Sequence, residues 1–209
     1  MRYAIQKKGD SRSFPPGDIF LAGTVAADDA DVALYLGLPP VADLRKKAVL
    51  VELTTECLAE HVDEADAAST NVLGFARYRN GEDAPSKLVE LVRLPVTEAA
   101  AVDAAKAVFE AAGFTVVVCA DQPGRILDRL LRPKYNAALR FLDEGLATAQ
   151  DMDTTCKLGL GYPDGPIERV TRGGLRHHHD VTRALFETYG TAAYAPPRLA
   201  VAAAKRGAR

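Results

Sequence analysis

Residues 87–120 read KLVELVRLPVTEAAAVDAAKAVFEAAGFTVVVCA. KLVELVR is a short apolar run of the kind that forms strands. Thr97 then opens a helical pattern, with Val102, Ala105, Val108, Phe109 and Ala112 on one face and Gly113 as the stop. FTVVVC returns to β-branched residues. Strand, helix and strand in that order make a crossover unit, so the pattern predicts an α/β fold.

Working upstream, RYAIQ, DIFLAGT, DVALYLG, AVLVELT and TNVLGFARY are apolar runs bounded by Gly, Pro, Asn and Asp, and each predicts a strand. DVALYLG and AVLVELT have almost no polar alternation. Strands of that kind are buried on both faces, as in a parallel sheet. Downstream of Asp121 the period changes to helical. Leu127, Leu130, Leu131, Tyr135, Ala138, Leu139 and Leu142 form one stripe, which Pro133 should kink because it removes a backbone donor. Thr148 and Asp151 have the spacing of a capping box for a second helix through Leu158. Asp180 can cap a third, with Val181, Ala184 and Leu185 on its apolar face. The expected organisation is therefore α/β over residues 1–121 and all-α over residues 122–209.

The 209 residues are 48% apolar and 26% charged with net charge −2, which leaves no basic field for nucleic acid. The basic AKRGAR at the end reads as a solvated tail. Cys57, Cys119 and Cys156 match no zinc or CxxC spacing and suit reduced thiols of a cytoplasmic protein. MRYAIQKKGD lacks the apolar core of a signal peptide, and no run approaches the roughly 20 apolar residues that span a bilayer. His177, His178 and His179 do not share a helical face and have no acidic or Cys partners in sequence, so a solvated loop before Asp180 is expected rather than a metal site.

Several ordered blocks point to a family. They are Asp121-Gln-Pro-Gly124, Asp128-Arg129-Leu-Leu131, Glu144-Gly145, Asp151-Met-Asp153, Lys157-Leu-Gly-Leu-Gly161-Tyr-Pro-Asp-Gly-Pro166 and Tyr194-Ala-Pro-Pro197. Together they resemble the C-terminal helical domain of 3-hydroxyacyl-CoA dehydrogenase, whose first block reads Asp-x-Pro-Gly-Phe-Ile-x-Asn-Arg. Val51-Glu-Leu-Thr-Thr55, Gly74-Phe-Ala-Arg-Tyr-Arg-Asn80 and Lys87-Leu-Val-Glu90 extend the resemblance upstream. The family resemblance implies a Rossmann-like domain, truncated or rebuilt in this chain. It would be followed by a helical domain of the 6-phosphogluconate dehydrogenase C-terminal-like type, through which the chain would form a homodimer. It also implies NAD as cofactor and an acyl-CoA-like small molecule as ligand.

The family's chemistry needs a His that takes the hydroxyl proton and a Glu that orients it, with a Ser and an Asn holding the substrate oxygen. By the resemblance, the Glu falls on Glu90 and the His on Ala76, or on Arg77 if the register slips by one. The Asn falls on Asp128 and the Ser near Thr54 and Thr55. Neither Ala nor Arg can accept a proton at neutral pH. No G-x-G-x-x-G lies in residues 1–60, and Gly159–Gly165 contains Pro after a helix and reads as a turn, so no cofactor-binding residue stands out.

Three readings of Glu90 stay open. It can be a retained catalytic carboxylate, a structural carboxylate paired with Arg77 or Arg79 across the strands, or half of an acid/base pair with Asp128. Arg125 and Arg129 compete as partners of Asp128. At the level of function, three readings compete. The first is a dehydrogenase-like protein without normal activity. The second is an oxidoreductase using Asp128, Glu90 or Thr55 with another cofactor mode, and the third a non-catalytic homodimer.

Overall fold

A computed structural model describes residues 1–63 and 68–207. The chain divides into two compact units, Met1–Arg79 with Pro85–Arg125, and Asn80–Ala84 with Ile126–Arg209. The first is α/β and the second all-α.

In the first unit, β1 (Tyr3–Lys7), β2 (Val32–Leu36), β3 (Ala48–Glu52), β4 (Val72–Arg77), β5 (Leu88–Arg93) and β6 (Thr115–Ala120) form a six-stranded sheet in chain order. β1 to β4 are parallel, β4 and β5 antiparallel, and β5 and β6 parallel. Every residue of β2 and β3 is buried, as their unbroken apolar character predicts. One face packs on α2 (Ala99–Ala111) through Ala101, Ala105, Val108 and Phe109. The other face, with Val51, Val72 and Val92, is covered by Leu53 and Leu58 of the segment that follows β3.

Two local expectations change in this unit. DIFLAGT is not a strand: Asp18 accepts a hydrogen bond from the Phe20 amide and starts a short helix, α1 (Ile19–Ala22). An N-cap side chain outweighs β propensity here, and it leaves Phe20 stacked between Tyr3 and Phe14. Thr97 is not the first helical residue of α2. Its hydroxyl accepts from the Leu94 amide, and Glu98 takes the N-cap position.

The second unit contains α3 (Leu127–Asp143), α4 (Ala149–Leu160), α5 (Pro166–Arg172), α6 (Leu175–Tyr189) and α7 (Arg198–Arg206). Its core holds Tyr135, Ala138, Leu139, Ile167 and Val170. α3 continues through Pro133 to Asp143. Leu130 does not join the buried stripe and is 71% exposed. Thr148 caps α4 by accepting from the Asp151 amide, as its spacing predicts. Asp153 has a longer reach, because its carboxylate accepts from the amides of Ile167 and Glu168 at 2.8 and 3.0 Å and caps α5 from a neighbouring helix. A β-carbon on Gly165 would collide with that carboxylate, so the turn tolerates only glycine there. The excursion Asn80–Ala84 belongs to this unit through Asn80 Nδ2, which donates to the Arg169 carbonyl, and through the Asp83–Arg172 ion pair.

The third helix differs from expectation. α6 begins at Leu175, so His177 to His179 lie inside it rather than in a loop, and Asp180 is interior. His178 is 1% exposed. Of the basic tail, Lys205 and Arg206 close α7, and Ala208 and Arg209 lie outside the described residues. Among the described residues no helix is long and apolar enough to cross a membrane.

Candidate functional site

Glu90 sits on β5, and the antiparallel register places Ala76 of β4 directly opposite it. Ala76 rather than Arg77 faces Glu90 across the strands. Arg77 points to the other sheet face, where its guanidinium meets Asp18 at 2.6 Å and stacks on Phe14 and Phe114. Val117 of β6 flanks Glu90 on the far side. The face therefore carries the row Ala76, Glu90 and Val117, with Gly74, Val92 and Cys119 as the next row.

Glu90 is 7% exposed and forms an ion pair with Arg125, whose Nε stands 3.8 Å from the carboxylate. Of Arg77 and Arg79, the two arginines named from the sequence, Arg77 lies on the opposite face, and Arg125 comes from far along the chain. Arg125 follows Asp121-Gln-Pro-Gly124 and holds φ 49°, a left-handed conformation unusual for a residue with a side chain. Its Nη2 donates to the Thr54 carbonyl at 2.7 Å. Its Nε and Nη1 are buried without a hydrogen-bond acceptor.

The segment after β3 is built from its own polar groups. Glu56 accepts from the amides of Thr54 and Thr55 and from the Thr54 hydroxyl. Burial raises the pKa of Glu56, but these donors outweigh it and hold the carboxyl below its ordinary value. Thr55 thus contributes an amide to a turn. Asp121 accepts from the amides of Leu58 and Ala59 and pins the same segment. Burial pushes the Cys57 and Cys119 thiols up to about 11, helped by Asp121 beside Cys57 and by Glu90 beside Cys119. Neither is a thiolate nucleophile at neutral pH.

Asp128 belongs to the helical unit and is held by Arg132, one turn on, at 2.7 Å. Glu90 and Asp128 each answer to an arginine of their own unit, and for Asp128 it is Arg132, which the sequence reading did not weigh. From Arg132 a buried network runs on: Arg132 Nη1 lies 3.2 Å from His178 Nδ1, His178 Nε2 lies 2.8 Å from Asn136 Oδ1, and Asn136 Nδ2 donates to Thr182. The assignment that satisfies all three has Nδ1 accepting and Nε2–H donating, a neutral imidazole. Burial, then the Arg132 charge and the neighbouring His177 and His179, push the His178 pKa down to about 3.

That shift has a consequence for stability. The unfolded chain protonates this histidine near 6.5, whereas the folded chain refuses the proton down to about 3. The unfolded state therefore gains protons first as pH falls. Stability from this group is intact above about 6.5 and is lost on acidification toward 3, by up to about 1.4 kcal/mol per pH unit. Urea unfolding from pH 7.5 to 4.5 should show this slope, and His178→Gln should flatten it. An unchanged slope in the variant would exclude His178 as its source.

A dinucleotide would need a helix N-terminus at the carboxyl ends of the parallel strands. Between β1 and β4 the only α-helix among the described residues is α1, whose N-terminus is already filled by Asp18. The cavity of about 340 Å³ beside β3 is lined by Asp10, Glu52 and Glu56 against one guanidinium, Arg12. Three carboxylates oppose a pyrophosphate, so these residues do not fit NAD. Among the described residues no group of three or more His, Cys, Asp or Glu could hold a metal ion. Sequence reasoning weighed Arg125 only as a partner of Asp128 and His178 only as part of a solvated loop. The signal for Arg125 was present, since it stands where the family block after Asp-x-Pro-Gly has Phe.

Residues 124–208 match the family of the 3-hydroxyacyl-CoA dehydrogenase C-terminal domain. The chain is 31% identical over 191 residues to the mitochondrial hydroxyacyl-coenzyme A dehydrogenase of Sus scrofa, covering 82% of this chain and 61% of that protein. It is 33% identical over 153 residues to a 3-hydroxybutyryl-CoA dehydrogenase of Mycobacterium tuberculosis, covering 73% and 53%. The chain spans about three fifths of the human and Sus scrofa relatives and about half of the others it matches from mammals. Its fold is like that of (S)-3-hydroxybutyryl-CoA dehydrogenase from Ralstonia eutropha, with TM-score 0.70, 23% identity and coverage of 88% and 70%. The match of residues 124–208 to the family model and the similarity to these dehydrogenases over most of the chain support its place in the 3-hydroxyacyl-CoA dehydrogenase family.

Proposed function

We propose that this is a 3-hydroxyacyl-CoA dehydrogenase-like protein in which NAD-dependent hydride transfer is impaired, acting as a homodimer on an acyl-CoA-like ligand. The observation that carries this is the pairing of Ala76 with Glu90. A methyl group stands where the resemblance puts the proton acceptor. Ala76 offers Glu90 no imidazole to orient, and Arg125 stands beside the carboxylate. A guanidinium donates hydrogen bonds but stays protonated, so this face can hold an oxygen and cannot take its proton. Thr55 and Asp128 do not supply the base either: Thr55 serves a turn, and Asp128 is neutralised by Arg132. The carboxylate-lined cavity beside β3 supports the same reading.

Leu146, Leu158 and Leu160 are exposed apolar residues of the helical unit and favour a homodimer through it. The three free cysteines favour a reducing compartment such as the cytoplasm.

Enzymes commonly turn over about 10 times per second, and loss of a positioned base costs about 100- to 10,000-fold. With 3-hydroxybutyryl-CoA and NAD, NADH formation followed by absorbance should therefore run at about 0.1 per second or slower. A turnover near 10 per second would overturn the proposal.

A further inference from the structure

We propose that Arg125 is a ligand-binding residue of this sheet face, donating hydrogen bonds to an uncharged carbonyl oxygen of an acyl compound. The proposal rests on the acyl-ligand reading above and adds the residue that makes the contact.

Two independent features of Arg125 point to an absent acceptor. The first is its side chain, which is 5% exposed and has one hydrogen bond, to the Thr54 carbonyl. Nε and Nη1 have no acceptor, and Glu90 at 3.8 Å is beyond hydrogen-bond reach. Buried donors left unpaired are costly, and more so on a charged group. The second is its backbone. A residue with a side chain at φ 49° is strained, and glycine would hold that conformation without penalty. A strained and unsatisfied arginine reduces stability, and strain of this kind clusters where a ligand repays it.

The charge balance selects the ligand chemistry. Glu90 and Asp121 both act on Cys119 beside Arg125, so the cluster carries no surplus positive charge. A further carboxylate there would be repelled by those two. The surrounding side chains Ala76, Val117 and Cys119 bring no charge. A neutral carbonyl satisfies the guanidinium without adding charge. The absence of a larger side chain at Ala76 leaves this row of the face small.

The test is calorimetric titration of the full chain with acetoacetyl-CoA. Arg125→Lys is compared as the conservative variant, and the isosteric Arg125→Met with Glu90→Gln as a double variant that leaves no buried charge unpaired. Arg125→Met/Glu90→Gln should bind about 10- to 100-fold more weakly than the wild type, with Arg125→Lys between them. Thermal melting of each variant establishes that it is folded. Equal affinity of the wild type and the folded double variant would overturn the role of Arg125 while leaving the acyl reading standing. No heat with the wild-type chain would overturn both.

Discussion

Asn136→Ala should destabilise the protein by about 4 kcal/mol. Asn136 is 0% exposed and uses both ends of its amide. Nδ2 donates to Thr182 Oγ1 at 2.7 Å and to the Ala193 carbonyl at 2.8 Å, while Oδ1 faces His178 Nε2 at 2.8 Å. One side chain of α3 thereby ties α6 and the turn at 192–194 together. Alanine would strand the His178 N–H in the core and remove a donor from the part-buried Ala193 carbonyl. Each buried group left unpaired costs about 1–3 kcal/mol, and the vacated volume adds to this. Urea unfolding at pH 7 measures the loss. A cost under about 1.5 kcal/mol would mean that the network relaxes or takes up water.

The pair Glu90–Arg125 should show strong coupling. Glu90→Gln alone leaves a guanidinium buried with its charge uncompensated, for a loss of about 3 kcal/mol. Arg125→Met alone strands the carboxylate, which escapes part of the cost by taking a proton. With both replaced, neither charge remains, and the double variant should be more stable than the sum of the single losses by about 2 kcal/mol. Side-chain exposures of 9% and 5% make solvent screening weak. Additive single effects would show that the 3.8 Å approach carries no energy of its own.

Much of the fold was legible because it is local. β2 and β3 announce themselves by unbroken apolar character, α2 by its period, and α4 by Thr148 three residues before Asp151. The misreadings have physical causes of two kinds. DIFLAGT looked like a strand, but a single hydrogen bond from the Phe20 amide to Asp18 turned it into a helix. The histidine run looked solvated because its composition is polar. Only one of the three, His178, is drawn inside, and it is drawn there by Arg132 and Asn136, which lie more than forty residues away in the chain.

The candidate site divides the same way. Motif spacing brought Ala76 or Arg77 toward Glu90, and the antiparallel register put Ala76 opposite it. The ionic partner of Glu90 could not be read from spacing. Arg77 is close in sequence, yet alternation along β4 sends it to the opposite face and to Asp18. Arg125 reaches Glu90 because β6 runs beside β5 and the chain then turns through left-handed backbone at Gly124 and Arg125. By itself the sequence determined the resemblance to the family, the α/β-then-helical order and the lack of a proton acceptor at both 76 and 77, because motifs and periodicity are properties of the linear chain. Only the tertiary structure decided which arginine neutralises Glu90 and which histidine is buried, because burial and charge pairing depend on distances that folding alone creates.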